Sequence, residues 1–202
     1  DVRIGGTSYT DANIVCTQDD ISGILTRGGT FLGTSREKPF KNPEKDAKTG
    51  KTPVESIIQN YEKWKLDALV VLGGNGTQTT ASLLAKEGLN VIGLPKTIDN
   101  DLVHTDITFG FHTAVDVATE AIDRIHTTAH SHNRIMVIEV MGHKAGWLGL
   151  YAGIAGGADI VLLPEIPYNI DSIAKHLKKR QDMGKDFSIV VVAEGALSED
   201  EA

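Results

Sequence analysis

Short apolar runs alternate with polar, glycine-rich breaks along most of the chain. Residues 68–72 are apolar and end at Gly73-Gly74-Asn75-Gly76-Thr77; residues 90–94 are largely apolar and lead into Lys96-Thr97-Ile98-Asp99-Asn100-Asp101. Apolar runs of this length that end in glycines predict strands buried in a parallel sheet. Between them, Ala81, Leu83, Leu84 and Ala85 predict a helix, with Gly88 placed to stop it. Helical spacing recurs over 54–64, at Val54, Ile57, Ile58 and Tyr61, and over 112–129, at Val115, Ala118, Ile122 and Ile125. Strands are predicted over 135–140, 161–163 and 187–193, and an amphipathic helix with a basic end over 170–180. Gly153, Gly156 and Gly157 predict a closely packed helix or its end, and Trp147 and Tyr151 read as core. The alternation of strand and helix predicts an α/β fold, doubly wound, with mostly parallel sheets and helices on both faces.

Two of the predicted strands deliver polar loops to one sheet edge, and ligands of open α/β sheets bind beyond the carboxyl ends of strands. The Gly73–Thr77 loop offers backbone N–H groups and no bulky side chain, which suits phosphate. The 96–101 loop carries two carboxylates, a lysine and a hydroxyl, which suits metal binding and proton transfer. Three other patterns lead nowhere. Gly74 and Gly76 begin a dinucleotide fingerprint, but Thr79 stands where its third glycine belongs. Gly50-Lys51-Thr52 lacks the earlier glycine of a Walker A loop, since position 45 is Lys. His112, His126, His130 and His132 lie close in sequence, yet only His126 and His130 have one-turn spacing, so they read as surface or capping residues.

Leu72-Gly73-Gly74-Asn75-Gly76-Thr77 and Pro95-Lys96-Thr97-Ile98-Asp99-Asn100-Asp101 resemble the nucleotide and catalytic loops of the phosphofructokinases. GGTFLGTSR at 28–36, TFGFHTA at 108–114, SHNR at 131–134, VMGHKAGW at 140–147 and IAGGAD at 154–159 fall in the same order. The resemblance implies a donor lobe over 1–110 and a sugar-phosphate lobe over 111–202. Residues 1–22 carry no evident first strand and phosphate loop, Ile4-Gly5-Gly6-Thr7 being a weak substitute, so the chain reads as a segment of a longer enzyme with both lobes incomplete. The implied reaction transfers the γ-phosphoryl group of ATP to fructose 6-phosphate, with Mg²⁺. Asp99 is implied as general base, with Lys96 neutralising charge. Arg36, Gly74, Asn75, Gly76 and Thr77 are implied at the donor. Thr97, Asp99, Arg134, Met141, Gly142, His143 and Glu194 are implied at the sugar phosphate, and Asn75 and Asp101 at the metal. Arg134 is implied to reach a neighbouring subunit's site in a homo-oligomer, a dimer or tetramer. From residue type alone, Arg36 is equally readable as a solvated arginine, Arg134 reads first as a surface arginine at a strand start, and Glu165 as an exposed loop carboxylate.

Three positions bear on the donor and the metal. Relatives that use pyrophosphate tend to carry Asp where Gly76 stands, filling space that a nucleotide phosphate would occupy, so Gly76 favours ATP. Lys96 favours pyrophosphate. Asn75 replaces the family's usual Asp and is a weaker magnesium ligand than a carboxylate; His143 stands where Arg is frequent. Two other readings share some of these motifs: an NAD or lipid kinase, which PKTIDND and MGHKAGW oppose, and a non-catalytic regulatory subunit, which Thr97, Asp99 and Asp101 oppose.

Composition narrows the setting. The 202 residues carry a net charge of −7, against a general nucleic-acid binder. Cys16 is the only cysteine, which predicts a reducing, cytoplasmic compartment. No long apolar span predicts a membrane role.

Overall fold

A computed structural model describes residues 2–4, 14–30, 33–34, 38–41 and 43–202. The chain divides into two compact units, residues 1–71 with 76–93 and residues 72–75 with 94–202. Among the described residues, no helix is long and apolar enough to cross a membrane.

In the first unit, β1 (Val2–Ile4) pairs antiparallel with β2 (Ile14–Cys16). Helix α1 (Pro53–Lys63) starts where local chemistry dictates. Thr52 caps it, its side chain accepting from the Glu55 N–H while the Glu55 carboxylate accepts from the Thr52 N–H, and Pro53 fits the first turn. Ile57, Leu84 and Leu89 form the buried centre of this unit, with Phe40, Ile58, Tyr61, Leu69 and Val91 packed around them.

Strand β3 (Leu69–Gly73), helix α2 (Asn75–Lys86) and strand β4 (Val91–Pro95) follow as a βαβ unit. The Leu69 N–H donates to Asn90 O at 2.8 Å and the Lys96 N–H to Gly73 O at 3.0 Å. Both strands therefore ascend together, and the pair is parallel. Gly88, at φ +95°, ends the helical path two residues after α2, as its place in the sequence predicts.

The second unit is built on a three-stranded parallel sheet of β5 (Ile135–Val140), β6 (Ile160–Leu162) and β7 (Ser188–Ala193), with β7 in the middle. Register runs from Ile135 opposite Ser188 to Val140 opposite Ala193, and from Ile160 opposite Val190 to Leu162 opposite Val192. Helices α3 (Phe111–His132), α4 (Trp147–Ala155) and α5 (Ile170–Asp182) join these strands to the rest of the unit. Ile122 and Ala129 of α3, Val140, Ala152 of α4, and Ile189 and Val191 of β7 make its core.

Helix α4 meets this core through small residues. It buries Leu148, Gly149, Ala152 and Gly153, and a methyl group added at Gly149 would stand 3.3 Å from both Ala193 and Val140 side-chain atoms. That close seating turns Trp147 and Tyr151 to the opposite side, where they are 45% and 48% exposed rather than core. Tyr151 instead meets Phe111 edge-on at 5.4 Å between ring centroids. His126, read as a surface or capping residue, is partly buried, with its Nε2 2.7 Å from the carbonyl of Gly156, the C-cap of α4, and its ring edge-on to Phe187. The basic end of α5 also does more than meet a helix terminus. Arg180 Nη2 lies 2.6 Å from Asp159 Oδ1 and its Nε donates to Ser188 Oγ, while Asp159 Oδ2 accepts from the Ile189 N–H. These bonds tie α5 to the amino end of β7.

Gly156 gives the sharpest packing test. An added methyl group there would fall 2.6 Å from Ile122 Cγ2 and 2.9 Å from Ile122 Cβ, and Ile122 is fully buried. Gly156→Ala is expected to destabilise by about 1–3 kcal/mol, the scale of overpacking. Gly28→Ala, where the methyl group meets nothing within 4 Å, should stay within about 0.5 kcal/mol. Urea unfolding midpoints at constant slope check both.

Candidate active site

The site is assembled at the carboxyl ends of strands. Beyond β4 the chain is clasped by the Lys96 N–H on Gly73 O and by the Phe109 N–H on Pro95 O at 2.8 Å. It then turns tightly. The Asp99 N–H donates to Thr97 Oγ1 at 3.2 Å, and that hydroxyl donates to Asp99 Oδ2 at 3.3 Å. Thr97 thus orients the Asp99 carboxylate through its own backbone turn. Gly74 lies alongside: a methyl group added there would be 3.5 Å from Thr97 Cβ.

The loop after β5 and the residue after β7 meet by a different bond. The Glu194 N–H donates to Val140 O at 2.9 Å, one step beyond the paired strands. Its Oε1 then accepts from the His143 N–H at 2.5 Å and the Gly142 N–H at 3.3 Å. Such charge-assisted bonds are the stronger kind, and here they hold a turn in which Gly142 has φ +145° and His143 φ +52°. Gly142 and Gly195 both allow the close approach. Any Cβ at Gly142 would fall 2.6 Å from Ala145 O, and one at Gly195 would overlap His143 O.

Asp99 is partly buried, and its carboxyl is held above the ordinary value of 3.8. Burial is the main cause, followed by the negative charge of Asp101; Glu194 adds to the effect, while the Thr97 hydroxyl and His143 oppose it. A carboxylate with raised proton affinity, oriented by a hydroxyl at a strand end, is equipped to accept a proton from an alcohol. Asp99 and Asp101 also supply hard oxygen donors. Among the described residues there is no cluster of three or more His, Cys, Asp or Glu able to hold a metal ion. This donor set fits Mg²⁺, which commonly takes one or two carboxylates and completes its shell with water and substrate phosphate.

Thr97, Asp99, Asp101, Gly142, His143 and Glu194 are therefore neighbours within one unit. Lys96 projects an exposed side chain beside them in sequence, and Met141 is 59% exposed. Glu194 is bonded to backbone N–H groups of the 142–143 turn. Arg134 is exposed at the opposite, amino end of β5, about 20 Å away along six residues of strand. One chain does not bring it to Asp99. Asn75, Gly76 and Thr77 form the first turn of α2, which holds no acidic residue; a methyl group at Gly76 would meet nothing within 4 Å. Arg36 and Gly5 to Thr7 lie outside the described residues. Glu165 is not merely an exposed carboxylate, since its Oε1 accepts from the Gly146 N–H at 2.8 Å. Two residues beside the site, Asn100 and Thr108, lie in the quoted motifs PKTIDND and TFGFHTA, yet nothing in their spacing assigns them a role.

A profile of the family described as Phosphofructokinase matches residues 5–202. The chain is 72% identical over 185 residues to the ATP-dependent 6-phosphofructokinase of Spirochaeta thermophila, an alignment covering 91% of this chain and 50% of that protein. It is 60% identical over 182 residues to the ATP-dependent 6-phosphofructokinase of Propionibacterium freudenreichii, covering 90% of this chain and 48% of that protein. The chain thus spans about half the length of these relatives. Among solved structures it is similar to phosphofructokinase from Saccharomyces cerevisiae, with a TM-score of 0.81 and 33% identity over 92% of this chain and 27% of that one.

The environment of Asp99 sets the sign of its titration. Because the folded chain holds this proton to higher pH than the unfolded chain does, ionised Asp99 costs stability. The cost is absent well below 3.8, where both states are protonated, and grows as pH rises from there through the raised folded value. In metal-free protein, carboxyl ¹³C NMR is expected to find Asp99 titrating above 3.8. Asp101→Asn should lower that midpoint, and Thr97→Val should raise it further. An Asp99 midpoint at or below 3.8 overturns this account of the site.

Proposed function

Since the chain belongs to the phosphofructokinase family, we propose that it serves transfer of the γ-phosphoryl group of ATP to the 1-hydroxyl of fructose 6-phosphate, giving fructose 1,6-bisphosphate and ADP in cytoplasmic glycolysis. The observation that carries this reading is Asp99, partly buried at a strand end, turned by Thr97 and holding its proton more firmly than an ordinary carboxyl. Asp99 orients the acceptor hydroxyl and takes its proton as the oxygen attacks phosphorus. Thr97 orients Asp99. Met141, Gly142, His143 and Glu194 bound the sugar phosphate, and Arg134 reaches it from a neighbouring subunit of a homo-oligomer. Its position at the far end of β5 supports that assignment over a contact within the chain. Residues 1–110 hold the donor and 111–202 the sugar phosphate. Arg36, Gly74, Gly76 and Thr77 hold the donor phosphates, and Lys96 offsets charge that develops on the transferred group. Asp101 with Asn75 would hold Mg²⁺, which supplies charge neutralisation on the phosphates when bound.

ATP is favoured as donor by the open space beside Gly76 and by the names of the two bacterial relatives compared above. Pyrophosphate is the second reading, supported by Lys96. Full-length protein assayed with fructose 6-phosphate should turn over with ATP far faster than with pyrophosphate. Gly76→Asp should lower kcat/KM for ATP about tenfold or more, equivalent to at least about 1.4 kcal/mol of clash and repulsion, with fructose 6-phosphate binding little changed. Unaltered ATP kinetics in that variant remove the steric argument for ATP.

The base assignment is checked separately. Asp99→Asn is expected to lower kcat by about 10²–10⁴-fold, the scale of general-base loss, with much smaller effects on substrate binding because the amide still hydrogen-bonds. Near-normal kcat in Asp99→Asn together with an inactive Asp101→Asn exchanges the roles of the two carboxylates.

A further inference from the structure

The loop that carries Asp99 leaves β4 at Lys96 and returns to the sheet edge at Thr108 and Phe109. Its two ends are joined by one buried side chain. Thr108 is 2% exposed. Its Oγ1 donates to Thr97 O at 2.8 Å, and its N–H donates to Asn100 Oδ1 at 2.9 Å. Asn100 holds φ +53°, a left-handed conformation that asparagine tolerates better than most residues. Gly110, next in the chain after Phe109, sits against the same turn, where an added methyl group would lie 3.6 Å from Thr97 O and 3.7 Å from Ile98 Cγ2.

These bonds end on the backbone of Thr97 and on the side chain of Asn100, the residues that bracket Ile98 and Asp99. Neither Thr108 nor Asn100 has been given a part in the reaction. We infer that Thr108 and Asn100 form a clamp that positions the Asp99 carboxylate for phosphoryl transfer, each acting through the loop backbone and not on substrate. The inference rests on the reading of Asp99 as general base. A clamp of this kind follows from the site's own demands. Proton transfer needs the carboxylate within hydrogen-bond reach of the acceptor hydroxyl, and among the described residues the loop beyond β4 has no strand partner past the Lys96–Phe109 bridge. The direct Thr97–Asp99 bond at 3.3 Å orients the carboxylate relative to Thr97 only. Thr108 fixes Thr97 itself. Removing its hydroxyl leaves the Thr97 carbonyl without that donor in a partly buried setting, so the loop relaxes to find another. The 142–143 turn is held independently by Glu194, so sugar-phosphate binding survives while the base drifts.

The test compares Thr108→Val, which keeps shape and deletes the hydroxyl, with Thr108→Ser, which keeps the hydroxyl. Asn100→Gly keeps the left-handed backbone and deletes the acceptor. Each full-length variant is assayed with ATP and fructose 6-phosphate at a temperature where circular dichroism shows it folded. Thr108→Val should lower kcat by about 10- to 100-fold, the order expected for a misplaced catalytic group, while both KM values stay within about threefold. Thr108→Ser should keep kcat within about threefold, and Asn100→Gly should lower it about tenfold. Wild-type kcat in folded Thr108→Val, or equal losses in the Val and Ser variants, overturns the inference. If Thr108→Val does not fold, Asn100→Gly decides, and a wild-type kcat there overturns it equally. A wild-type protein that transfers phosphoryl from neither ATP nor pyrophosphate to fructose 6-phosphate overturns the functional reading itself. An active wild type with an undiminished Thr108→Val overturns the clamp alone.

Discussion

The register between β5 and β7 is the constraint on which the 142–143 turn of the candidate site depends. Six parallel pairs run from Ile135–Ser188 to Val140–Ala193, and the Glu194 N–H on Val140 O extends the ladder one step further. Because side chains alternate along a strand, a slip of one residue would turn Glu194 to the other face of the sheet and take its carboxylate away from the 142–143 turn. The register is secured by burial. Ile189, Val190 and Val191 are at most 4% exposed, and α4 reaches the sheet through Gly149 and Gly153, where larger residues would collide with Val140, Ala193 or Val161. Core packing remote from any substrate thus dictates where the Glu194 carboxylate stands.

That carboxylate belongs to an acidic group that stability alone would not favour. Burial makes ionised Asp99 costly, and the charges of Asp101 and Glu194 add to that cost. The opposing contributions are a hydroxyl, Thr97, and His143. A fold selected for stability alone would replace Asp99 by a neutral residue; retaining it beside a second carboxylate is the pattern expected where a base or a metal ligand is required. Glu194 lowers the local cost differently, because its Oε1 accepts two backbone N–H groups and so its charge is partly met by the turn it holds.

Much of the fold is legible in the sequence, and the reasons are local. Strands β3, β4, β5 and β7 read as apolar runs in parallel sheets, but the expected burial holds for β7 alone, since Val70 and Leu72 of β3, Ile92 of β4, and Ile135 and Val137 of β5 are at least 50% exposed; α1, α3 and α5 read by their periodic apolar faces. Helix α4 is legible only through its glycines. It is apolar on nearly every side, so periodicity cannot say which face meets the sheet, and the large rings of Trp147 and Tyr151 suggest core where the small residues in fact lie. At the site, Thr97 and Asp99 are named through the family resemblance, and the hydrogen bonds that join them close within two residues. The bond from His143 to Glu194 spans 51 residues and that from Thr108 to Thr97 spans 11. No local rule reaches across those separations, so the structure alone identifies Glu194 as the residue that holds the 142–143 turn.

Asn75 and His143, the two departures from the family pattern, are better weighed together than singly. Asn75 removes a negative charge where the family usually has Asp, and His143 replaces a fixed positive charge where Arg is frequent. In the proposed reading, each alone would unbalance the charge around magnesium and the phosphate oxygens. Together they change the charge in opposite directions. His143 also sits at φ +52° with its N–H bonded to Glu194, so its backbone contribution does not depend on its side chain. Backbone N–H groups in such a turn present a positive rim to anions whatever residue carries them. The turn therefore keeps part of what arginine would supply, and a neutral Asn75 demands less cationic compensation at the phosphates. On this argument the substitutions adjust how charge would be shared between metal, turn and side chains, and leave untouched the role proposed for Asp99.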